Sequence, residues 1–308
     1  MQWFSRLTNT SCSIASRMMH GWGGEPVGKG VMWFVVTLVV AYLVVLGLLR
    51  LFENRLIYFP NYPGRLSGDW RPEGLAVQDV WLRAADDIKL HAWWIAGKEA
   101  EFTFLAFHGN AANIADRADI YRFLRDLPAN VLAVEYRGYG RSEGAPSEAG
   151  LYRDAEAAYN YMAGERGIPP NRIIAFGLSL GTAVAADLAS KHPVGGVVLV
   201  APFPSAKAVV RYVYPFLPGL GLVVRSKFDT AGKLARIHAP ILVVHCTLDP
   251  TIPFVLGEEV YRLAGEPKLF LRVEGECHEE AALSASGECR AQLAAFLNQL
   301  KSSGTETR

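Results

Sequence analysis

The chain has 308 residues, with 31 Lys and Arg against 30 Asp and Glu, for a net charge of +1. That is enough chain for one large α/β domain with a full core, and the near-neutral balance without any Lys/Arg block excludes a polybasic nucleic-acid binder. The hydrophobic content of 51% is high for a soluble domain, and one segment near the start is a visible source of the excess.

Residues 1–30 mix Ser, Thr, Gly and basic side chains and read as a flexible tail. Residues 31–49, VMWFVVTLVVAYLVVLGLL, then carry no charge. As a helix they would span about 28 Å, the thickness of a bilayer's hydrocarbon core. The expectation is an uncleaved, single-pass membrane anchor over 31–51. A buried core helix is one alternative, although few core helices are apolar on every face at this length. A signal peptide is the other, but RLFENRLIYFP follows and offers no cleavage site of small residues. Arg17 and Lys29 lie on one side and Arg50, Arg55 and Arg65 on the other, so charge does not set the sidedness.

From residue 52 the chain alternates strand-like and helix-like runs, and 52–300 reads as one catalytic domain. VQDVWLRA and IKLHAWWIA form an opening hairpin through 85–87. FTFLAFHGN (102–110) is a strand ending in a glycine loop. A helix is expected over 114–128, a strand in NVLAVEYRGYG (130–140), and a helix over 147–164 with Ser147 as N-cap. Strands follow at 172–179, 195–203, 240–246 and 268–275, then a last helix through SGECRAQLAAFLNQL and a polar tail at 301–308. Short apolar strands separated by helices predict a mainly parallel, eight-stranded α/β sheet covered on both faces. The long connection at 204–239 is rich in aromatic and aliphatic residues. It reads either as a decorated crossover or as a cap lining an acyl pocket.

GLSLG (177–181) places Ser179 between a buried strand and a helix. That is the setting of a nucleophile elbow, in which glycines permit a strained turn and the helix N-terminus favours developing negative charge. A serine nucleophile needs a base, and the base needs an orienting acid. Taken in the order Ser, acid, His, each just past a strand, the filter selects Asp249 after ILVVHCTL and His278 after LFLRVEGEC. His245 is the closest competitor, but it lies inside the strand before the acid. For the oxyanion hole the candidates are the backbone N–H of Leu180 and that of Asn110 in HGNAAN, with Ala111 as the other choice for the second donor. No CxxC, HExxH or Walker loop occurs, so neither a metal nor a cofactor is expected.

At this point the chain resembles the α/β-hydrolase superfamily, and within it the BEM46-like membrane-anchored serine hydrolases, over about residues 45–300. The resemblance is carried by LIYFP (56–60), FHGNAAN (107–113), EYRGYGRSEG (135–144), GLSLGTAVA (177–185), PFPSA with YPFLP (202–218), DPTIP (249–253) and CHEE (277–280). It implies an α/β-hydrolase fold and metal-independent hydrolysis of an ester or thioester at a membrane, with Ser179, His278 and Asp249 in the three catalytic roles. The partners expected are therefore an acyl substrate and the lipid bilayer. A serine peptidase on the same fold is a second reading, and a catalytically inactive, membrane-tethered binding protein a third. Four positions depart from the group: Glu135 stands for the usual Asp, Leu178 often for an Arg, and Cys246 and Cys277 for glycines beside the acid and the base. The two cysteines read either as a disulfide bracing those loops or as two unrelated small residues.

Overall fold

The computed structural model describes residues 27–279, 282–283 and 287–305. Residues 1–26 of the expected tail lie outside them. The chain divides into two units, one reaching to Leu49 and the other running from Arg50. The first holds all but the last two residues of the helix α1 (Val27–Leu51), which starts four residues earlier than the apolar run suggested. It is long and apolar enough to cross a membrane. Its side chains stand exposed along most of its length, Trp33 at 66% and Phe34 at 64%, as a core helix would not.

The second unit opens with α2 (Glu53–Ile57) and continues with β1 (Gln78–Arg83), β2 (Lys89–Ile95), β3 (Phe102–Phe107), α3 (Ala118–Arg125), β4 (Ala129–Val134) and α4 (Glu148–Asn160). Next come β5 (Ile173–Leu178), α5 (Leu180–Ala189), β6 (Gly196–Val200) and three short helices, α6 (Ala206–Val213), α7 (Leu220–Val223) and α8 (Ala231–Leu234). The chain closes with β7 (Ile241–Cys246), α9 (Phe254–Leu263), β8 (Lys268–Val273) and α10 (Gly287–Thr305). The eight strands form one sheet in the order β1-β2-β4-β3-β5-β6-β7-β8. β1 and β2 pair antiparallel, as does β2 with β4, and every other pair is parallel. This is the α/β-hydrolase fold.

Central strands β3, β5, β6 and β7 are buried at every position, while the edge strands β1 and β8 alternate. A sheet covered on both faces requires this pattern. Successive residues of β3 feed opposite cores: Leu105 and Phe107 pack with Leu151 of α4 and Val184 of α5, and Phe104 and Ala106 with Leu124 of α3 and Phe296 of α10. From β3 the chain crosses to β4 on one side and then to β5 on the other. That reversal opens a crevice at the C-terminal ends of β3 and β5, where open α/β sheets bind their ligands.

Several boundaries differ from the sequence reading. The helix expected over 114–128 begins as a 3-10 turn at Ile114–Arg117, capped by the Asn113 side chain. The helix begun at Ser147, whose Oγ accepts from Gly150 N, ends in a π-turn at Tyr161–Glu165. Helix α10 continues to Thr305, so most of the expected tail at 301–308 is helical and 306–308 lie outside the described residues. Helix α9 was not anticipated. The connection at 204–239 is a closed excursion: Ala206 N donates to Lys227 O and Ala231 N to Pro204 O.

Candidate active site

Ser179 occupies the turn from β5 into α5 with φ 47° and ψ −112°, a conformation a non-glycine residue holds only when its surroundings enforce it. The enforcement is visible. Ser179 N donates to Val200 O at 2.9 Å, and Ser179 O accepts from Thr182 N and Thr182 Oγ1. A Cβ on Gly177 would strike the Gly181 carbonyl, and one on Gly181 the Phe107 carbonyl. Both glycines are therefore needed for β5, α5 and the end of β3 to meet. Leu180 is the first residue of α5, so its N–H has no partner within the helix and lies at the positive end of the helix dipole.

Asp249 follows β7, and its carboxylate is fully buried. Oδ1 accepts from Thr251 N and Ile252 N, each at 2.8 Å, and Oδ2 lies 2.7 Å from His278 Nδ1. The backbone donors fix the carboxylate, and the carboxylate fixes the ring. An ionised Asp can only accept, so Nδ1 carries the proton and Nε2 presents its lone pair. Cys246, the last residue of β7, and Cys277, which precedes His278, are joined by a disulfide with a Cα separation of 5.6 Å. The bond ties the loop of Asp249 to the loop of His278.

The competitor His245 is fully buried below Asp249. Its Nε2 lies 2.9 Å from Ile252 O and 3.6 Å from Asp249 Oδ2. Burial holds its pKa below the usual histidine value, and Gly257 lacks a side chain where this ring sits. It is a core support for the acid loop.

The loop after β3 is pinned on several sides. His108 Nδ1 lies 2.8 Å from Gly109 O and so donates to it, while its Nε2 faces Glu135 Oε1 at 3.2 Å. In a planar peptide the C=O and N–H point in opposite directions. Holding the Gly109 carbonyl therefore aims the Asn110 N–H. The Asn110 carbonyl accepts from Phe59 N at 2.9 Å and from Tyr139 Oη at 2.7 Å, which aims the Ala111 N–H in the same way. Asn110 Nδ2 donates to Ile57 O, Ala112 N to Tyr62 O, and Phe59 bridges Ala111 in parallel. The segment 57–62 is thus a strap across this loop.

Glu279 closes the arrangement. Its carboxylate lies where a Gly109 side chain would be. It pairs with the buried Arg117 at 3.0 Å and stands 3.7 Å from His278 Nε2. The His278 loop therefore touches the loop of Asn110, and that loop packs on Gly181 beside Ser179. Sequence reasoning missed the strap, the His108 pin and the Glu279 contact. The LIYFP and HGN stretches were visible, but their partners lie roughly 50 residues apart in the chain. Among the described residues no cluster of His, Cys, Asp and Glu is arranged to hold a metal.

Residues 98–232 match the family model Hydrolase_4, described as serine aminopeptidase, S33. An uncharacterized protein of Mycobacterium tuberculosis is 36% identical over 234 residues, covering 75% of this chain and 82% of its own length. The alpha/beta hydrolase domain-containing protein WAV2 of Arabidopsis thaliana is 34% identical over 262 residues, covering 78% and 80%. An esterase of Pyrococcus furiosus superposes with a TM-score of 0.63 at 20% identity, over 79% of this chain and 97% of that one, a likeness of fold.

Proposed function

We propose that this chain, which belongs to the α/β-hydrolase family, is a membrane-anchored serine hydrolase of the BEM46-like kind that cleaves ester or thioester bonds of acyl substrates through an acyl-enzyme. The observation that carries the reading is the 2.7 Å pair of His278 Nδ1 and Asp249 Oδ2 on the sheet edge where Ser179 is held in a strained elbow. Ser179 Oγ attacks the acyl carbon as His278 Nε2 takes its proton. The N–H groups of Leu180 and Asn110 receive the oxyanion. His278 then returns the proton to the departing alcohol or thiol, Asp249 holding the imidazolium throughout. Water attacks the acyl-enzyme by the same route, and the acid is released. The anchor α1 would keep the site where long-chain acyl groups concentrate, which favours lipids or lipidated proteins as substrates.

The test is labelling of membrane fractions with a fluorophosphonate probe, native chain against Ser179→Ala. The expected result is strong labelling of the native chain and none of the variant. An unlabelled, folded native chain would sink the reading in favour of an inactive scaffold. The match to a model described as serine aminopeptidase supports a peptidase as the second reading. Faster turnover of a peptide p-nitroanilide than of any acyl ester or thioester would establish it.

A further inference from the structure

The excursion between β6 and β7 buries little of what it carries. Residues 206–224 hold eleven Val, Leu, Tyr and Phe side chains, yet no residue from 206 to 225 is buried. Tyr212, Tyr214, Phe216 and Leu222 are 55%, 44%, 71% and 76% exposed. Tyr214 and Phe216 pack edge to face, and clustered exposed apolar side chains of this kind mark a contact face. The excursion is ordered. Ser205 caps α6 by accepting from Ala208 N, and α7 packs on the aliphatic stems of Lys207 and Arg211 through Gly221.

Its charge has one sign. No acid occurs between Asp187 and Asp229, while 206–227 carry Lys207, Arg211, Arg225 and Lys227. Two neighbouring carboxylates are engaged by the backbone at its C-terminal end: Glu53 accepts from Arg225 N and Ser226 N and also pairs with the Arg225 side chain, and Glu148 accepts from Lys227 N and Phe228 N; Asp229, beyond the face, is exposed. The same excursion holds the first residues after the apolar run. Arg50 Nη1 donates to Val223 O at 2.9 Å, and nearby Phe52 and Leu56 are 43% and 53% exposed.

We infer that residues 206–224, with Phe52 and Leu56, form a docking face for a bilayer containing anionic phospholipid. The inference rests on the reading of α1 as an anchor. The aromatic rings and Leu222 seat at headgroup depth, and Lys207, Arg211 and Lys227 meet lipid phosphates while their stems lie along apolar surface; Arg225 is held by Glu53 instead. A lipid surface is favoured over a protein because the exposed aromatic and aliphatic side chains are interleaved with charges of one sign, and because Phe52 of the face follows the apolar helix in the chain with no linker between them. The excursion springs from the C-terminal end of β6, the sheet edge that carries Ser179, so docking turns that edge toward the membrane.

The test uses the full chain in vesicles of phosphatidylcholine with phosphatidylglycerol, bearing a bimane label at Phe216→Cys or, separately, Lys98→Cys, in a Cys12→Ser background. Doxyl-labelled phosphatidylcholine is the quencher, and flotation after a carbonate wash reports insertion. The expected result is a blue shift and quenching at 216, none at 98, and loss of both effects at 216 in Lys207→Glu/Arg211→Glu. Leu222→Cys gives a second probe should the 216 site fold poorly. Inserted protein with unquenched label at 216 and 222 would overturn the docking face while leaving the anchor intact. Protein that fails to float would overturn the anchor and the face together.

Discussion

Both oxygens of Asp249 are committed, one to the backbone of Thr251 and Ile252 and the other to His278. In Asp249→Asn one oxygen is replaced by an NH2, which cannot accept the Nδ1 proton, so the ring turns to the wrong tautomer. The expected outcome is a fall in kcat of roughly 10⁴-fold with KM for a soluble ester nearly unchanged, read by steady-state kinetics. His245, one strand earlier, affects stability instead. Its folded pKa is lowered by burial, so the folded state binds its proton less readily than the unfolded chain. Its contribution is complete above about pH 6.5, the unfolded value, and is lost as pH falls through the lowered folded value. The melting temperature is expected to drop from pH 7 to pH 5, and to drop less steeply in His245→Gln.

At the scale of elements, the acid and base loops act as one piece because Cys246 and Cys277 join them across 31 residues of chain. Cys246→Ala with Cys277→Ala is expected to cost about 2–4 kcal/mol in urea unfolding. It should also lower kcat more than KM, since the loops would position Asp249 and His278 less tightly. The alternation of apolar strand and helix was legible in the sequence because a two-sided sheet leaves few other patterns. Helix α9 was not, since it follows the Asp249 loop with Pro253 at its N-cap and no side-chain cap. The last helix ran past its expected end because Lys301 and Ser302 are compatible with a helix whose buried face stops at Leu300. Ser179, Asp249 and His278 could be chosen from their places after strands. The Glu279–Arg117 pair could not, because its partners share no local pattern and lie 162 residues apart.

For the whole molecule, the apolar composition that first suggested an anchor has a second source in the excursion. The exposure of its aromatic residues could not be read from sequence, where an apolar run signals a core as readily as a surface. If α1 anchors the protein as proposed, the strap decides where the chain can be cut free. Residues 57–62 belong to the stalk that follows the apolar helix, yet they hold the backbone of Asn110 and Ala112. A chain beginning at Arg50 is expected to hydrolyse a soluble ester at the native rate in detergent. One beginning at Pro63 is expected to lose roughly 10²-fold in kcat, the effect of a misplaced oxyanion donor. Proteolytic shedding would then have two opposite results thirteen residues apart: a cut at the end of the helix frees a working enzyme, and a cut beyond the strap silences it.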